Sequence, residues 1–193
     1  MHSTPEALAK AAQLHNKVVA ITNGTSPLGN VLCEQAAIAG ATVYSLDADL
    51  TALARQAISF RQNNLRLRCA PCDMENKSSI LDAIQEITSH APPIDLWVHA
   101  LPVSDDSKAQ LNCGLFVFGQ HFDRSGKGSI SLILNAPIEE QMKQQLTSSI
   151  KTAKVPDVVS VNLTAYDAAN PKSLAARLLL IEALLPGVHV SQG

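Results

Sequence analysis

Charge is scarce in this chain. Asp, Glu, Lys and Arg make up 17% of its 193 residues, against roughly 25% in an average globular protein, while apolar residues make up 46%. That shortage suits a sheet buried on both faces, or a subunit with a covered surface. Neither sign is in surplus: the formal net charge is −2, which offers no attraction for nucleic acid or an anionic membrane. No apolar run approaches the roughly 20 residues that span a bilayer. The opening Met1-His2-Ser3-Thr4-Pro5-Glu6 lacks the basic stretch and apolar core of a secretory leader, so the expected location is the cytoplasm. Cys33, Cys69, Cys72 and Cys113 form no disulfide framework in a domain of this length. Cys69-Ala-Pro-Cys72 has the spacing of a redox pair or half a zinc site. No second pair and no clustered histidines complete it, so no metal is expected and the thiols read as structural.

What the chain does have is alternation. Ser3-Thr4-Pro5-Glu6 is a capping box with proline at a first helical position, which predicts a helical extension over residues 1–16. Residues 17–193 then read as one domain with no repeat, linker or low-complexity tract. Strand patterns at 17–22, 41–46, 65–69, 94–99, 129–134, 157–163 and 187–190 alternate with helical patterns at 27–39, 49–63, 77–90, 108–122, 139–154 and 171–185. Short connections between such elements demand crossovers. The expected fold is therefore α/β: a single doubly wound Rossmann domain with about seven mostly parallel strands and helices on both faces. The strands are apolar continuously, as in Val18-Val19-Ala20-Ile21, which suits cover on both sides. Residues 171–185 are apolar around almost the whole helix. Either the rest of the chain covers that helix, or it and the strand after it form a homo-oligomer contact.

The most informative stretch is Thr22-Asn23-Gly24-Thr25-Ser26-Pro27-Leu28-Gly29, where an apolar strand breaks into a small-residue turn and opens a helix. Backbone N–H groups at such a helix start converge on a phosphate. Ser26 fits an N-cap and Pro27 a first helical position, yet proline removes one N–H that a ligand would use. Gly24 and Gly29 also have P-loop spacing, but Asn30-Val31 stands where Lys and Ser/Thr are required, which excludes an NTPase. Asp47 ends the second strand pattern, 18 residues beyond Gly29. A carboxylate there can accept both ribose hydroxyls of an adenosine and repel a 2′-phosphate. It could equally cap the next helix, as could Asp49.

With these residues in place, the chain resembles the short-chain dehydrogenase/reductase family, whose first turn reads T-G-x-x-x-G-x-G. Asp47 sits where NAD-preferring members hold an acid. Cys72-Asp73-Met74 is similar to the Asp-hydrophobic pair that contacts adenine. Val98-His99-Ala100 resembles the end of the fourth-strand N-N-A-G motif, with histidine and alanine replacing the asparagines. Asn112 falls near the catalytic asparagine position. The resemblance implies cofactor contacts at Thr22, Asn23, Gly24, Thr25, Ser26, Leu28, Gly29, Asp47, Asp73, Met74, His99 and Ala100. It also implies NAD rather than NADP, with no cofactor as the alternative.

The family's chemistry is hydride transfer assisted by a tyrosine, whose pKa a lysine one turn later lowers, and by a strand-five serine. The two tyrosines here are Tyr44 and Tyr166. Tyr44 lies too early in the chain, and Tyr166 has Asn170 where lysine belongs. Another register sets Thr147 and Lys151 at the tyrosine and lysine positions, and the fifth strand ends without serine. The remaining catalytic candidates are Asn112, Lys151, His99 and Tyr166. His99 could act as acid/base or be a hydrogen-bonded core residue. Three functions stay open: a catalytically inactive relative that binds NAD(H), an oxidoreductase using other groups, or a structural, oligomerising or interaction protein without nucleotide. A small-molecule ligand is the expected partner.

Overall fold

The computed structural model describes residues 14–101, 107–134, 140–155, 159–165 and 188–191. The proposed extension up to residue 13, the helix at 171–185 and Tyr166 lie outside them. Seven strands form one sheet among the described residues: β1 Val18–Thr22, β2 Thr42–Asp47, β3 Arg68–Pro71, β4 Leu96–Leu101, β5 Ser129–Leu134, β6 Ser160–Ala165 and β7 Val188–Ser191. The order is β3-β2-β1-β4-β5-β6-β7, and every pairing is parallel. Five helices are described: α1 Pro27–Ile38, α2 Leu50–Gln62, α3 Lys77–His90, α4 Ser107–Ser125 and α5 Glu140–Thr152.

The core explains the unbroken apolar strands. All five residues of β1 are buried, and the four apolar ones divide between two clusters. Val18 and Ala20 pack with Ile80, Ile84 and Ile87 of α3 and with Leu115, Phe118 and Phe122 of α4. Val19 and Ile21 pack with Leu28, Leu32 and Ala36 of α1 and Phe60 of α2. Alternate side chains point to opposite faces, and both faces are covered. On the α4 side Trp97 stacks on Phe118, with centroids 4.4 Å apart and planes 7° apart.

Several predicted elements need small corrections. The third strand is Arg68–Pro71 rather than 65–69. Leu65 and Leu67 are half-buried against the core without joining the ladder, and Pro71 is admissible because β3 is an edge strand. The fourth begins at Leu96, since Asp95 is used as a clamp. Its Oδ2 accepts from Val18 N–H at 3.0 Å, and its Oδ1 from Lys127 Nζ at 3.0 Å. Burial alone would raise the Asp95 pKa. The Val18 N–H and the Lys127 and Lys17 ammonium groups outweigh it and hold the carboxyl below its ordinary value.

Sheet order reverses between β1 and β4, with β2 and β3 on one side and β5 to β7 on the other. In an open parallel sheet, the crevice beyond the strands' carboxyl ends at such a reversal is where ligands bind. Thr22 and His99 are register partners at that point.

Candidate nucleotide site at the strand reversal

The turn from β1 to α1 is built by its own polar atoms. Asn23 takes φ +54°, a left-handed conformation that asparagine tolerates better than most residues. Asparagine can therefore stand where the family pattern has glycine. Its Nδ2 donates to Ala100 O at 2.9 Å, tying the turn to β4. Ser26 is the N-cap of α1: its Oγ donates to Asn23 O at 2.7 Å and accepts from Gly29 N–H at 3.0 Å. A Cβ at Gly29 would collide with the carbonyl oxygen of Asn23, and one at Gly24 with Ser45 Oγ. Both glycines are required by the packing of the turn alone.

A residue that the sequence reading missed closes this arrangement from below. Gln56 of α2 is buried; its Nε2 donates to Gly24 O at 2.7 Å and to Asn30 Oδ1 at 3.0 Å. Its Oε1 accepts from Ser45 Oγ at 2.7 Å. The available signal was a polar residue on the buried stripe of α2, between Leu53 and Phe60.

Asp47 and Asp49 divide the two roles left open for them. Asp49 is the N-cap of α2, accepting from Ala52 N–H at 2.9 Å. Asp47 turns to the glycine turn instead: its Oδ2 accepts from Thr25 N–H at 3.2 Å and from Thr25 Oγ1 at 2.6 Å. Its Oδ1 accepts from Asp49 N–H at 3.2 Å. An acid at the end of β2 thus touches the turn at the start of α1. Donors for a phosphate are fewer. Thr25 N–H is on Asp47, Ser26 N–H on Asn23 O at 3.1 Å, and Gly29 N–H on Ser26. Pro27 has none, which leaves the N–H of Leu28.

At the end of β4 the imidazole of His99 is fully buried, and its Nδ1 lies 2.6 Å from Thr22 Oγ1. Thr22 Oγ1 also accepts from Trp97 Nε1 at 3.0 Å. Burial pushes the His99 pKa down to about 3, so the ring is neutral at physiological pH and serves as a core polar link. Among the described residues its Nε2 is buried without a hydrogen-bond partner.

The other expected residues disperse. Asp73 is exposed, and its Oδ1 accepts from Glu75 N–H at 2.9 Å, while Met74 is buried in the core. Asn112 is half-buried on α4. Lys151 requires a correction. It is exposed in the last turn of α5, about 16 Å along the axis from Glu140 at 1.5 Å per residue. A crossover helix returns to the amino ends of the strands, so Lys151 lies at the opposite end from the crevice. Tyr44 is buried in β2, its hydroxyl accepting from Arg68 at 2.8 Å. All four cysteines are free. Burial, then the Asp73 and Asp47 charges, raises the Cys72 thiol to about 12, in keeping with a structural role. Among the described residues no His/Cys/Asp/Glu group could hold a metal, and no helix is long and apolar enough to cross a membrane.

Residues 17–111, just under half of the chain, match the family model described as short chain dehydrogenase, and over that stretch the chain is similar to the short-chain dehydrogenase/reductase family. A metagenomic short-chain oxidoreductase in complex with NADP is similar in structure, with a TM-score of 0.68 at 14% identity, over 93% of this chain and 98% of that one. So is a gluconate 5-dehydrogenase from Burkholderia cenocepacia in complex with NADP and tartrate, with a TM-score of 0.67 at 18% identity and 97% of each chain covered. The NADPH-dependent 3-quinuclidinone reductase from Rhodotorula rubra gives 0.67 at 14% identity, over 100% of this chain and 96% of that one. At such identities the likeness is one of fold. No curated protein sequence matches the chain.

Proposed function

We propose that this chain is a short-chain dehydrogenase homologue that binds NAD(H) and does not carry out the family's tyrosine-assisted carbonyl chemistry. The observation that carries the reading is the Asp47 carboxylate at the end of β2, 2.6 Å from the Thr25 hydroxyl of the turn. It is a ribose acceptor beside a helix start. The residues fit the adenosine side: Asp47 retains acceptor capacity on Oδ1, and its charge opposes a 2′-phosphate, favouring NAD(H) over NADP(H). They fit the pyrophosphate less well, with Leu28 N–H as the remaining first-turn donor, so binding is expected to be weak.

When bound, the nicotinamide supplies or accepts hydride. Among the described residues no group is placed to move the accompanying proton. The sequence contains no Tyr-x-x-x-Lys, His99 is neutral and buried, and Lys151 is at the far end of α5. Thermal melts with NAD(H) and NADP(H) test this. Ligand at 100 times its Kd stabilises by about 2.7 kcal/mol, so NADH should raise the melting temperature more than NADPH does. The absence of any shift would favour a second reading, a structural protein without nucleotide, for which Pro27 and the self-satisfied turn are the support.

A further inference from the structure

We propose that Thr25 is a latch on Asp47, holding the ribose-recognising carboxylate partly closed and setting how tightly this chain takes NAD(H). The proposal rests on the nucleotide reading above. An ionised carboxylate offers about four lone-pair sites, and the protein itself occupies three. Oδ2 is filled by the backbone N–H and the hydroxyl of Thr25 at 3.2 and 2.6 Å, and Oδ1 takes Asp49 N–H at 3.2 Å. A ribose diol brings two O–H donors to roughly one open site.

The three internal donors are not equally easy to displace. The N–H groups of Thr25 and Asp49 belong to backbone fixed by the Ser26 cap of α1 and the Asp49 cap of α2. The Thr25 hydroxyl sits on a side chain that can turn about a single bond. Both ribose hydroxyls can therefore reach Asp47 only after the Thr25 hydroxyl has left. That contact is short and charge-assisted, the stronger kind of hydrogen bond, and the cost of breaking it should make ribose binding to the wild-type chain about tenfold weaker than it would be without the latch. Selection against NADPH is unaffected, because it comes from the charge of Asp47, which the latch leaves in place.

The experiment is a calorimetric titration of NADH and NADPH into the wild-type chain and into Thr25→Val, Thr25→Ser and Asp47→Ala, with melts to confirm that each is folded. Thr25→Val removes the hydroxyl at constant shape; Thr25→Ala does so without bulk and replaces it if the valine variant does not fold. The expected result is that Thr25→Val binds NADH about tenfold more tightly than wild type. Thr25→Ser should match wild type, and the gain should vanish when Asp47→Ala is combined with it. A hydroxyl that merely supported the turn would give the opposite sign. If wild type binds NADH and the valine variant binds it equally or less tightly, the latch is overturned while the nucleotide reading stands. If only the variant binds, the latch stands and wild-type nucleotide binding falls. If neither binds, both fall.

Discussion

Between β1 and β2 the carboxyl edge of the sheet is held by its own polar atoms: Asn23 holds Ala100 O, Ser26 caps Gly29, Gln56 holds Gly24 O and Thr25 holds Asp47. Beyond β4 no reacting group stands at the same edge among the described residues. His99 pairs with Thr22, which in turn accepts from Trp97, as buried neutral structure, and Lys151 has been carried to the opposite end. The difference shows what holds each half in place. The turn joins a strand to a helix, so its glycines and cap are needed for folding whether or not a nucleotide binds. A tyrosine–lysine pair has no such structural duty.

The sharpest way to break the first half is at Gly29. A methyl group in Gly29→Ala would collide with the carbonyl oxygen of Asn23 and with Gly24 Cα, both main-chain atoms that cannot swing aside. Overpacking of that kind should cost about 3 kcal/mol, read as a lower urea midpoint, and should abolish any nucleotide binding. A near-neutral substitution would mean that the turn is looser than its contacts imply.

His99 tests the second half. Its folded pKa is depressed to about 3 while an unfolded histidine titrates near 6.5. The unfolded chain therefore takes up a proton first as pH falls. Stability from this group is complete above about pH 6.5 and is lost progressively toward pH 3, by about 2 kcal/mol at pH 5. Urea melts at pH 7 and pH 5 should show that loss in wild type, and His99→Gln should reduce it. A His99 imidazole titrating near 6.5 by NMR would restore an acid/base group to this end and erase the contrast. The smallest effect is expected at Lys151: Lys151→Ala should change stability by less than about 0.5 kcal/mol and leave NADH affinity unaltered.

Much of the fold was legible in the sequence because its signals are local. The strand Ser129–Leu134 and the helix Lys77–His90 follow from apolar patterns of strand and helix period along the chain. The third strand slipped because Leu65 and Leu67 pack apolar side chains without pairing, and a hydrophobic pattern cannot tell those two situations apart. The site was less legible. Ser26 as cap could be inferred from its neighbours, but the choice between Asp47 and Asp49 depended on where the turn lay in space. The contacts of Gln56 with Gly24 and of Thr25 with Asp47 join residues 32 and 22 positions apart, a relation set by sheet order rather than spacing. The displacement of Lys151 came from a short β5–α5 connection, which carries residue 151 down the helix.

The most direct measurement of the central claim combines binding with turnover on one sample: NADH titrated into the wild-type chain, then incubated with a panel of ketones and aldehydes while its absorbance is followed. The expected result is saturable binding of NADH, tighter than NADPH, with no NADH consumption above the uncatalysed rate. Sustained NADH oxidation with any carbonyl of the panel, or no binding of either nucleotide, would contradict it.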